Sequence, residues 1–202
     1  LMHGANHAIL GSKNTTARKA MEGSLIRALD SGKHQTEANT FLLRMLRGIA
    51  TVDAVPAIGK HAKNPDLTTA ATQTLMAMAN TIDHAPIQAQ LRAALAGKTG
   101  EAKISVIKAL ASLRDTESIP VFLEAAKDAD AKLRHAGLRG LANTADPRGK
   151  AVLKAATQAE KAYDRNRALS WYLLFATRSA ENGNKAEGAA ICREVFATFT
   201  AP

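Results

Sequence analysis

The chain has 202 residues, 46% of them apolar but only 4% aromatic, and a formal net charge of +9. Its one cysteine, Cys192, excludes an internal disulfide and a cysteine-based metal site, and no apolar run reaches the roughly 20 residues of a membrane-spanning helix. The charge admits nucleic acid, anionic lipid or an acidic protein as partner and demands none; residues 1–64 carry nine Lys/Arg against four Asp/Glu, so the N-terminal third is the more basic part.

No stretch alternates apolar and polar residues over a strand length, so the chain reads as all-α, with alanine and leucine carrying the core. The opening Leu1-Met2-His3-Gly4 has no basic and then apolar leader. That abrupt start and the Ala201-Pro202 end point to a piece excised from a larger protein. Residues 1–15 are polar and glycine-broken and read as a lead-in.

A first helix is expected over about 16–31, its inward stripe formed by Ala17, Ala20, Met21, Ser24, Leu25, Ala28 and Leu29. Asp30-Ser31-Gly32 ends it. Its partner is expected over about 35–50, with Phe41, Leu42, Met45, Leu46 and Ile49 inward. A second pair spans about 54–63 and 67–80, with Asp66 as N-cap of its second helix. A third spans about 84–96 and 101–113, split by Gly97-Lys98-Thr99-Gly100. A fourth spans about 117–127 and 131–143, capped by Asp130. The fifth opens at Asp146-Pro147, with proline at the first helical position, and spans about 148–157 and 160–180. Asn182-Gly183-Asn184 breaks the chain before a closing helix over about 185–199, where Cys192 reads as a small buried thiol.

These pairs repeat. Asp53-Ala-Val-Pro56, Asp83-His-Ala-Pro86 and Glu117-Ser-Ile-Pro120 each place an acid three residues before a proline, and the prolines are 30 and 34 residues apart. A proline in the first turn of a helix loses no hydrogen bond, and an acid there meets the positive end of the helix dipole. Acid-x-x-Pro therefore marks the start of each first helix. The second helices repeat as well: at an offset of 31, Lys103 meets Arg134, Lys108 meets Arg139 and Leu110 meets Leu141. Gly137 and Gly140 would let neighbouring helices approach closely. A period in this range signals stacked helix pairs, and the units fall at about 16–50, 53–80, 83–113, 116–143 and 146–180 in one array.

The copy Ser118-Ile-Pro120-Val-Phe-Leu-Glu-Ala-Ala-Lys-Asp128-Ala-Asp130-Ala-Lys-Leu133-Arg134-His-Ala136-Gly-Leu138-Arg-Gly-Leu141 resembles the HEAT repeat. The resemblance is strong over about 53–157 and weaker at both ends; Thr68-Thr69 stands where the apolar–basic pair belongs. The tail from Ala180 to Phe196 is similar to the helix that closes such arrays in large bacterial HEAT-repeat proteins. Those often carry further domains, and many are exported. The resemblance implies a right-handed α-α superhelix of armadillo type, about five helix pairs plus a C-terminal helix, and a binding or scaffolding role with no chemistry of its own. It favours an exported location and leaves a cytoplasmic one open. The implied partner is a protein or peptide, a neighbouring domain of the parent chain included.

No local pattern points to catalysis or a cofactor. Gly97-Lys98-Thr99 looks like the end of a phosphate loop, but Arg92 stands where that motif needs glycine, and a turn between helices explains it. Of six histidines only His3 and His7 have a metal-ligand spacing, with no acid or cysteine near them in sequence. The candidate partner-binding residues are Lys103, Lys108, Arg134 and Arg139, which the resemblance puts on the concave face, together with Arg167 and Trp171. The last two lie one helical turn apart, so that guanidinium can stack on indole. For Arg134 the alternative that the resemblance implies is an ion pair with an acid of a neighbouring repeat. Nucleic acid is the second partner class: charge and Trp171 resemble features of the HEAT-like alkylpurine DNA glycosylases, although the other aromatics are placed as core.

Overall fold

The structure, a computed structural model, describes residues 15–200 and the side chains of 15–198. The expected lead-in, with His3 and His7, lies outside the described residues. Among the described residues there are eleven α-helices and no strand: α1 (Thr15–Asp30), α2 (Thr36–Leu46), α3 (Val55–Ala62), α4 (Thr68–Met78), α5 (His84–Ala94), α6 (Gly100–Ser112), α7 (Ile119–Ala125), α8 (Ala131–Thr144), α9 (Pro147–Ala156), α10 (Ala162–Glu181) and α11 (Lys185–Thr200). Single 3-10 turns, Val52–Ala54 and Thr116–Ser118, lead into α3 and α7. They hold the acids Asp53 and Glu117, and Pro56 and Pro120 sit in the first turn of the helix that follows. The acid-x-x-Pro pattern thus marks helix starts as expected.

The chain divides into two compact units, Leu1–Ala109 and Leu110–Pro202, and the division falls within α6. In the first unit α1 packs on α2 and α3 on α4; α4 also packs on α2, and α5 on both α3 and α4. In the second, α7 packs on α8, α9 on α10, and α10 on both α8 and α11. Within each unit, therefore, second helices stack on second helices, as in a solenoid. The cores follow: Leu29, Leu43, Leu46, Ile58, Leu75 and Ile87 in the first, and Phe122, Leu141, Leu153, Tyr172, Phe175 and Ile191 in the second, are buried. Each such side chain contributes about 1.5–3 kcal/mol by leaving water.

Buried polar groups tie helices one repeat apart. Thr74 Oγ1–H donates to Leu43 O, 31 residues back, at 2.9 Å, and Asn143 Nδ2–H donates to Ala111 O, 32 residues back, at 3.0 Å. The two helical glycines do bring α7 and α8 together. A Cβ on Gly137 would lie 2.4 Å from Ala126 N, and one on Gly140 would lie 2.5 Å from the Phe122 ring.

Several expectations are corrected. Ala17, Ala20 and Ser24 are exposed, and α1 turns Glu22, Leu25 and Leu29 inward. Glu22 is admitted because its carboxylate accepts from Thr51 N at 3.2 Å and Thr51 Oγ1 at 3.0 Å. In α2 the inward residues are Leu43 and Leu46, with Ile49 buried just past its end, so Phe41 lies outside at 40% exposure. Asp66 is not a cap. Leu67 precedes α4 with ψ −9°, already helical, whereas Asp130 and Asp146 stand at ψ 116° and 132° and do accept from the first backbone N–H groups of α8 and α9. Cys192 is exposed, because Gly188 and Ile191 form the inward stripe of α11.

Candidate functional site

The candidate residues of the second unit lie on α8 and α10. Arg134 is the fourth residue of α8. Its Nη1–H groups donate back to Asp128 O at 3.0 Å and Ala129 O at 3.1 Å, in the loop before the helix. Arg165, the fourth residue of α10, donates in the same way to Ala159 O at 2.9 Å and Glu160 O at 3.1 Å. Asn39, the fourth residue of α2, donates to His34 O at 3.2 Å. The fourth position of a second helix is thus a clamp on the preceding loop. Lys103 holds that position in α6. In α4 the position is Ala71, and Thr68 holds the loop instead, its hydroxyl donating to Ala62 O and Asn64 O. That is the structural counterpart of the irregular Thr68-Thr69 pair.

The rest of the Arg134 guanidinium meets Asp164 of α10, with Nη2 3.3 Å from Oδ2. His135 Nε2–H donates to the other carboxylate oxygen at 3.0 Å, and the Tyr163 ring meets the imidazole edge-on at 6.2 Å. The His135 hydrogen bond holds the Asp164 carboxyl below the usual range, and the charges of Arg134 and Lys161 add to it, against the upward push of burial. Arg134, His135 and Asp164 border a groove of about 330 Å³ whose walls, including Leu138, Val152 and Ala168, are mostly apolar.

The other candidates differ in placement. Arg139 is half-buried in α8, with no hydrogen bond or ion pair among the described residues. Arg167 is exposed on α10, its guanidinium carbon 5.3 Å from the centroid of the half-buried Trp171 ring, so the expected stack is present. The Trp171 Nε1 atom is buried without a partner. Tyr172 and Phe175 fill the core beside it, and burial, reinforced by the Glu194 charge, pushes the Tyr172 phenol up. Lys108 is exposed on α6, in the first unit, as is the half-buried Lys103. The Gly97-Lys98-Thr99 segment is a turn: Gly97 has φ +70°, and the buried Lys98 ammonium donates to Lys63 O. Among the described residues no three His, Cys, Asp or Glu side chains are grouped to hold a metal, and no helix is long and apolar enough to cross a membrane.

The expected acid beside Arg134 is Asp164, with His135 as a second donor to it; that Arg165 repeats the Arg134 clamp on its own loop was not foreseen. The 31-residue offset that aligned Lys103 with Arg134 reaches Arg165 at its next step, and that was the signal available.

The family model for HEAT repeats matches residues 87–173, from α5 into α10. Over residues 87–173 the chain carries HEAT repeats. All six candidate residues lie within the matched HEAT segment. No curated protein matches the chain. HEAT repeats generally serve as protein-interaction scaffolds and are typically non-catalytic.

Proposed function

We propose that this HEAT array is a non-catalytic interaction module that holds an acidic protein or peptide segment, a neighbouring domain of a larger parent chain included. The observation that carries the reading is the Arg167–Trp171 stack, with the guanidinium carbon 5.3 Å from the ring centroid, on a helix face of the HEAT segment. Arginine beside tryptophan is the composition of an interface hot spot, where one aromatic body excludes water and one guanidinium selects an acid. Arg139 adds a cation with no ion pair among the described residues. Nucleic acid is the weaker reading, because Arg134 is consumed by two loop carbonyls and Asp164.

Two measurements test this. The intact chain and its Arg167→Glu/Trp171→Ala variant are used as baits, and a partner recovered by the first is purified and titrated against both. The double change should weaken binding at least tenfold; equal affinity overturns the assignment of this face. Labelled duplex and single-stranded DNA, titrated from low to physiological salt, should bind only at low salt, because charge alone then drives the contact. Micromolar binding at physiological salt, lost in the double variant, would replace a protein partner with nucleic acid.

A further inference from the structure

The second unit holds a cavity of about 190 Å³ between the C-terminal end of α9, α10 and α11. Its volume is below the roughly 300–1,000 Å³ of a small-molecule site, and it suits a single residue of a larger partner. Its lining combines apolar surface, from Leu169, Val195 and the Tyr172 ring, with the polar Arg165 and Asn166.

The free chemistry of this cavity is that of an anion receptor. Arg165 uses Nη1 on the Ala159 and Glu160 carbonyls, which fixes the guanidinium, and its remaining N–H groups make no hydrogen bond among the described residues. Asn166, next to it, gives only its backbone carbonyl, which accepts from Ser170 Oγ–H at 3.1 Å. Its side-chain amide makes no hydrogen bond among the described residues. The acid in the wall, Glu194, is already neutralised: Lys154 Nζ lies 2.9 Å from Oε1, and the Tyr172 hydroxyl donates to Oε2 at 3.4 Å. A planar carboxylate matches the fork of an anchored guanidinium with an amide beside it.

We propose that this cavity receives the C-terminal residue of a partner chain, with the terminal carboxylate on Arg165 and Asn166 and an aliphatic last side chain against Leu169 and Val195. A chain end carries carboxylate and side chain on one Cα, so one residue satisfies both kinds of lining. An internal Asp or Glu brings the carboxylate but leaves the apolar lining uncovered. The proposal deepens the interaction reading and rests on it.

The test uses the whole chain and three probe peptides, N-acetyl-Ala-Ala-Leu with a free carboxylate, its C-terminal amide, and N-acetyl-Ala-Asp-Ala amide, titrated by calorimetry and amide chemical shifts. The free acid should bind at least tenfold more tightly than either other peptide and shift the resonances of Asn166 and Val195. Arg165→Gln and Val195→Trp should each lower that affinity at least tenfold. Since Arg165 also clamps a loop, Asn166→Ala serves as the second variant, with an expected loss of about fivefold at unchanged circular dichroism. Equal binding of acid and amide, preference for the internal Asp, or no binding at millimolar peptide overturns the proposal. In that case a partner still lost in the Arg167→Glu/Trp171→Ala variant keeps the interaction reading, so the two failures are separable.

Discussion

Gly137 is where the close packing of α7 and α8 depends on a single missing methyl group. An added Cβ would meet three backbone atoms of α7 and its end, with Ala126 N at 2.4 Å, Phe122 O at 2.7 Å and the Ala125 carbonyl carbon at 2.8 Å, and backbone cannot swing aside. Gly23 in α1 gives the contrast: its added Cβ would meet only the flexible end of Arg27, at 3.4 Å. Gly137→Ala should therefore cost about 1–3 kcal/mol through overpacking, and Gly23→Ala should stabilise by about 0.5–1 kcal/mol through helix propensity. Urea unfolding followed by circular dichroism measures both, and a Gly137→Ala midpoint at or above wild type would contradict the packing account. The glycines were legible because two glycines three apart in a helix cost stability that only close approach explains. Phe41 and Cys192 were not legible, since a helix rich in Ala and Leu has a broad apolar stripe whose centre is set by its neighbours.

At the scale of elements, the recurring device is the clamp from the fourth residue of a second helix to the loop before it. The basic row Lys103–Arg134 could be read from sequence, but the clamp made by Arg134 could not: its loop acceptors, Asp128 O and Ala129 O, are backbone carbonyls, which carry no sequence mark. Helix starts were legible where the chain enters extended, at Asp83, Asp130 and Asp146. At Asp66 they were not, because the turn there is already helical. Arg134 and His135 also set the acid sensitivity of the α8–α10 contact through Asp164, whose folded-state pKa is lowered. A lowered carboxyl pKa contributes stability above the unfolded value, about 3.9, and loses it as pH falls through the folded value. Asp164→Asn should thus be less stable than wild type at neutral pH, with the gap closing below about pH 4 as the wild-type carboxyl protonates. Urea midpoints from pH 7 to pH 3 give the comparison, and a gap independent of pH would remove Asp164 from the acid transition.

Over the whole molecule, the repeat was legible because three successive copies restate acid-x-x-Pro, each followed by an apolar stripe. The division at Ala109–Leu110 was not, since it falls inside the continuous apolar face of α6, with Ile104, Ile107 and Leu110 all buried and no glycine or proline to mark it. The main packing contacts of each unit join helices that are next or next but one in the chain. Stability in such an array is close to a sum of repeats and nearest-neighbour interfaces, so damage stays near its source. Amide hydrogen exchange on Gly137→Ala should show this directly. Protection should fall first in α7 and α8, then in α9 and α10, which pack on α8, while amides of α1–α3 keep wild-type rates. An equal fall over all helices would mean that the two units open as one cooperative body, and the nearest-neighbour description of this chain would have to be abandoned.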